Sequence, residues 1–174
     1  LDLKKVKDAE GNAENETVTA ISFENKYAAS GKVELEAEKS ATNFTLVADQ
    51  LSFTLKGAGE DQRKTNDATG KVTFDEITYD ESDIGKTYVY TVEEDTTTIP
   101  AGYTYDKSEY EVTVVVKVDS TDASKLAPEV TIKKVRDAEG KTTDTMVTAI
   151  SFTNKYEAAG ELVVTAEKSL SGAT

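Results

Sequence analysis

Hydrophobic and polar residues alternate along most of this chain. Val33, Leu35, Ala37 and Lys39 fall on one face of an extended segment, and Glu34, Glu36 and Glu38 on the other. A period of two is that of a β-strand with one face turned to a core. The same alternation returns at Leu51, Phe53 and Leu55, and at Val72 and Phe74 after the turn-forming run Asn66-Asp67-Ala68-Thr69-Gly70. It returns again at Tyr88, Tyr90, Val92 and Glu94, and at Ile150, Phe152, Asn154 and Tyr156. Residues 110–118 form a β-branched run suited to a central strand. Asp137-Ala138-Glu139-Gly140 reads as a turn in which glycine supplies positive φ. Asp80 to Ile84 is compatible with a single helical turn, and no longer window carries a helical period. About seven short strands without helices predict an all-β fold, a β-sandwich.

The chain also repeats itself. Leu3 to Ser40 aligns without gaps on Ile132 to Ser169, at an offset of 129, with 22 of 38 positions identical. The shared blocks include KKV, DAEG, VTAISF, NKY and AEKS. This divides the chain into residues 1–28, the C-terminal strands of a preceding repeat; 29–157, a complete module; and 158–174, the first strand of a following repeat. Such a period is too long for a solenoid and suits beads that each own a core. The linker Tyr27-Ala28-Ala29-Ser30-Gly31, copied at Tyr156 to Gly160, is short enough to favour a rod. A start at Leu1, inside a strand, is what an internal fragment of a secreted protein would give.

Composition narrows the function. The net charge of −13 argues against binding a nucleic-acid backbone or inserting at an anionic membrane. Histidine and cysteine are absent, which removes the usual general base, zinc-thiolate sites, thiol nucleophiles and disulfides. No cofactor or metal is expected. The acids Asp80, Glu81, Asp83, Glu93, Glu94 and Asp95 offer oxygen ligands for calcium, but without a recognisable ligand spacing.

Three polar residues stand where the alternation demands apolar ones. Lys39 ends the face of Val33, Leu35 and Ala37; its copy Lys168 ends that of Leu162, Val164 and Ala166. Asn154 sits between Phe152 and Tyr156, as its copy Asn25 sits between Phe23 and Tyr27, and Glu94 follows Tyr88, Tyr90 and Val92. Such groups are costly to bury unless satisfied. One reading puts them at strand ends, in reach of water. The other puts all three in one dry pocket, where burial lowers the lysine pKa and raises that of the acid. A neutral Lys39 amine could then attack the Asn154 side-chain carbonyl, with Glu94 polarising that carbonyl and relaying protons. Ammonia would leave and an amide would join the side chains once, without turnover.

At these residues the sequence resembles the isopeptide-forming repeats of Gram-positive surface proteins, and most of all the streptococcal backbone-pilin (FctA-type) domain. The likeness is carried by AEKSLSG from Ala166, TNDATGKVTFDEITYDESDIGKTYVYTVEE from Thr65, YTYDKSEYEVTVVVKV from Tyr103 and ISFTNKY from Ile150. The resemblance implies an immunoglobulin-like, CnaB-like sandwich with an intramolecular Lys–Asn isopeptide bond joining first and last strands. It also implies a role in the shaft of a pilus or adhesin, outside the cell and anchored to its wall. Carried over position by position, the lysine is Lys39, the asparagine Asn154 and the acid Glu94. Glu93, turned outward by alternation, ranks second. Ala41-Thr42-Asn43 lacks the Leu and Gly found at Leu170 and Gly172, so the turn after Lys39 departs from the pattern. Asn25 and Lys168, whose partners would belong to other repeats, are expected to be unlinked. The expected partners are neighbouring repeats of the chain, with any host ligand met through other domains. A ligand-binding adhesin module is the rival, in which Tyr103, Tyr105 and Tyr110 would line a glycan or peptide groove.

Overall fold

The computed structural model describes residues 3–8, 10–18, 20, 27–98, 102–157, 163–168 and 171–172. The N-terminal part is a hairpin of β1 (Leu3–Lys7) and β2 (Ala13–Val18). The larger body after it contains twelve strands among the described residues: β3 (Ser30–Val33), β4 (Glu36–Thr42), β5 (Ser52–Gly57), β6 (Glu60–Thr65), β7 (Lys71–Thr73), β8 (Ile77–Asp80), β9 (Thr87–Asp95), β10 (Tyr103–Thr104), β11 (Glu109–Val115), β12 (Glu129–Arg136), β13 (Thr142–Val147) and β14 (Ile150–Tyr156). No helix among the described residues is long and apolar enough to cross a membrane.

The repeat seen in the sequence has a counterpart in backbone pairing. In the first hairpin Leu3 pairs with Val18, Lys4 with Thr17, Lys5 with Glu16 and Lys7 with Ala13. In β12–β13 the pairs are Ile132 with Val147, Lys133 with Met146, Lys134 with Thr145 and Arg136 with Thr142. These are the same partners displaced by 129, with the same bulge. The turns match as well: Asp8 accepts from the Asn12 N–H at 2.7 Å, and Asp137 from the Lys141 N–H at 2.8 Å. Identical turn chemistry sets an identical register.

Two sheets form an immunoglobulin-like sandwich. One has the order β10-β14-β4-β7 and the other β13-β12-β11-β9-β5-β6, while β3 and β8 make a separate ribbon. Among the described residues, all pairings between named strands are antiparallel except β4 with β14, the first long strand of the larger body against its last. The core lies between the sheets. Phe152 of β14 packs at 5.3 Å between ring centroids on both Phe53 of β5 and Tyr110 of β11. Val72, Val92, Val112 and Val114 are fully enclosed around them. Each comes from a strand whose alternate residues face outward, so the sequence period translates directly into the buried layer.

Some expectations change in detail. The strand count among the described residues of the larger body is twelve rather than about seven; one of the added strands arises because the first predicted strand is cut after Val33, and its two halves, β3 and β4, join different sheets. The β-branched run at 110–118 leaves its strand at Val115, although β11 does lie inside the six-stranded sheet. The turn expected at Asp80–Ile84 is a 3-10 turn at Glu81–Asp83, capped by Asp80 in a capping box.

Candidate cross-link site

The three misplaced polar residues meet. Lys39 comes from β4, Glu94 from β9 of the opposite sheet and Asn154 from β14, and all three are buried. The side chains of Lys39 and Glu94 have no exposed surface, and Lys39 Nζ lies 2.6 Å from Glu94 Oε2. Asn154 Nδ2 donates to Glu94 Oε1 at 2.5 Å. One carboxyl therefore touches both the amine and the amide nitrogen. Glu93 points the other way, toward Lys56 at 3.8 Å, as strand alternation requires.

Local structure fixes the lysine. The Lys39 N–H donates to the Gly70 carbonyl at 2.7 Å. Gly70 has φ +94, and a Cβ there would stand 2.0 Å from the Lys39 carbonyl oxygen, so only glycine fits this approach. The walls of the pocket are apolar. The Phe53 ring centroid is 5.9 Å from Lys39 Nζ, with Phe152 behind it. Burial pushes the Lys39 pKa down and the Glu94 pKa up, each partly opposed by the charge of the other. Both shifts favour a neutral amine beside a neutral acid, because two charges lose more hydration here than their attraction returns.

The asparagine carbonyl is engaged by a residue that the alternation does not single out. Asn154 Oδ1 accepts from the backbone N–H of Asp106 at 2.8 Å. An N–H can only donate, so this contact fixes which end of the amide is oxygen and turns its nitrogen toward Glu94. The carboxylate of Asp106 is itself buried and fixes its own loop: Oδ1 accepts from Ser108 N and Oδ2 from Thr153 N, each at 2.8 Å. The expectation that Glu94 touches the carbonyl is thus corrected. Glu94 bridges the two nitrogens, and the Asp106 N–H holds the oxygen. Asp106 has no periodic signature, since it lies in the connection between β10 and β11 and acts through its backbone.

Other candidates are spread apart. Lys168 is exposed, and Asn25 lies outside the described residues. Tyr110 is in the core, where its hydroxyl donates to the Ser151 carbonyl at 2.5 Å; Tyr103 packs between Phe44 and Tyr156. These two tyrosines do not line an open groove. Asp83 is occupied by its cap, Lys86 and Tyr88. No group of three or more metal-ligating acids gathers among the described residues.

The family model for FctA, the Spy0128-like isopeptide containing domain, matches residues 34–157. The chain belongs to this family. The matched FctA region contains Lys39, Glu94, Asp106 and Asn154 together. Solved structures similar to the chain include the major pilin protein (T-13) of Streptococcus pyogenes, at 18% identity and a TM-score of 0.43, over 76% of this chain and 55% of that one. Another is a C-terminal fragment of the pilus adhesin SpaC of Lactobacillus rhamnosus GG, at 20% identity and a TM-score of 0.42, over 76% and 48%. The chain thus spans about half the length of these proteins. A search of curated proteins finds no match.

Proposed function

We propose that the chain is a shaft segment of a bacterial pilus or cell-wall-anchored surface protein, in which residues 29–157 form one module locked by an isopeptide bond between Lys39 and Asn154. The observation that carries this reading is the single buried carboxyl bridging an amine and an amide nitrogen. In the neutral pair, Lys39 Nζ attacks Asn154 Cγ. Charge gathers on Oδ1, where the Asp106 N–H donates, an oxyanion contact of a kind that catalytic sites use. Glu94 takes the proton that Nζ loses and delivers one to Nδ2. The Nζ–Cγ bond forms, the Cγ–Nδ2 bond breaks, and ammonia departs. A surface cleft lined in part by Glu94, Asp106 and Ser108 offers it a way out. Glu94 ends as it began, and the event occurs once per module.

The bond would close a loop of 115 residues between positions 39 and 154. In the chain-entropy account such a closure is worth roughly 4–5 kcal/mol. An amide also resists reduction, which suits a protein without cysteine outside the cell. The intact mass of the folded chain is expected to fall one ammonia short of the sequence mass, with Lys39→Ala and Asn154→Ala at full mass. A full mass for the unaltered chain would end this reading.

A further inference from the structure

One tyrosine recurs at the repeat offset, and the structure shows it from two sides. Tyr27 precedes the first strand of the complete module, and its hydroxyl donates to the Ala123 carbonyl, in the connection between β11 and β12. The residues just after Tyr27 set its position. Only Ala28 and Ala29 separate it from Ser30, whose carbonyl accepts from the Leu126 N–H at 2.8 Å and which bridges to Lys125. Ala29 is buried, and a Cβ on Gly31 would stand 2.7 Å from the Leu126 Cβ. The receiving loop is itself shaped by local bonds, from Thr121 and Asp122 N–H to Asp119 and from Ser124 N–H to Asp122.

Tyr156, the copy of Tyr27, ends β14. Its ring packs on Tyr103 at 4.9 Å between centroids, and Tyr103 meets Phe44 edge-on at the same distance. A Cβ on Gly102 would lie 2.9 Å from the Tyr156 ring, and the Glu157 N–H donates to the Gly102 carbonyl at 2.9 Å. The ring of this tyrosine is therefore held by the module it closes. Gly160 repeats Gly31, the residue that the close approach to Leu126 demands.

We infer that residues 119–126 form the docking surface for the preceding module of the array, and that the terminal tyrosine is the clamp. Its ring belongs to the module it ends, and its hydroxyl bonds to the loop of the module it enters. The partner is a neighbouring repeat rather than an outside ligand. This inference rests on the division into modules and is independent of the cross-link.

The test is Tyr27→Phe, which keeps the ring and removes the hydroxyl. Amide hydrogen exchange at Lys125 and Leu126 should quicken about fivefold, the worth of one net hydrogen bond. Val112 and Val114 in the core report that folding is intact. Unchanged exchange at Leu126 would overturn the contact. In a length of the array that includes the next complete repeat, Tyr156→Phe should let the two modules tumble more independently by nitrogen relaxation. Identical tumbling would overturn the clamp as an inter-module device, whatever the mass of the modules says about their cross-links.

Discussion

Lys39 is paired with Phe152, not with Asn154, in the parallel ladder of β4 and β14. Asn154 is the next residue along on the same face, two positions further. Diagonal neighbours of this kind lie beyond the reach of short side chains and within that of a lysine. The offset lets the lysine stem run along the pocket, past Phe53, and present its amine to Glu94.

Glu94→Gln is expected to leave the chain at full mass, because an amide cannot carry the proton from Nζ to Nδ2. It should also lose the roughly 4–5 kcal/mol that the cross-link contributes, with little further cost, because the new amide can still hydrogen-bond the neutral Lys39 amine. Intact mass and urea unfolding read the two effects. Glu93→Gln, on the outer face, should match the unaltered chain in both.

Asp106→Ala removes the acceptors of the Ser108 and Thr153 N–H groups, at about 1–3 kcal/mol each. The loop that presents the Asp106 N–H to Asn154 would loosen. The linked fraction, followed by mass at set times after cell-free synthesis, should rise more slowly than in the unaltered chain. Asp106→Asn, which keeps an acceptor oxygen, should fall between them; equal rates in all three would remove the Asp106 side chain from any part in the chemistry.

Lys39→Met replaces the amine with an apolar chain of similar reach and isolates the worth of the cross-link from that of a buried charge. Guanidinium unfolding should show a loss of roughly 4–5 kcal/mol. A loss below about 1 kcal/mol, the size of one ordinary surface contact, would show that the bond adds little to equilibrium stability.

Asn154→Ala cannot form the bond and keeps both ionisable groups, so its stability should depend on pH in a defined way. Glu94 is raised from 4.5, so the folded state holds its proton longer and stability falls as pH rises above 4.5 toward the folded value. Lys39 is lowered from 10.5, so stability recovers as pH climbs from the folded value toward 10.5. Measured against a Lys39→Met, Glu94→Leu double variant, the stability difference should therefore pass through a minimum between those limits. A flat difference would mean that the pair is not held in a dry pocket.

Much of this arrangement was legible in the alternation. Val33, Leu35, Ala37 and Lys39 have a period of two, and so do Ile150, Phe152 and Asn154, which places the polar members in the core without reference to any contact. The break after Val33 was not legible, because Val33 before it, Leu35 within it and Ala37 after it all remain inward; only hydrogen-bond partners distinguish the two halves. Asp106 was hidden for another reason. Its contribution to Asn154 is a main-chain N–H, which every residue except proline possesses. Gly70 was visible as a turn glycine, but its closeness to the Lys39 carbonyl depends on a tertiary approach that local sequence does not encode.

The parallel sense of β4 and β14 has a mechanical meaning. In the proposed tandem array, the chain would enter β4 at one pole of the sandwich and leave β14 at the other, so that tension through neighbouring modules would run along both strands in opposite directions. Six residue pairs would then resist sliding at the same moment, as in a lap joint, instead of parting one after another like a zip fastener.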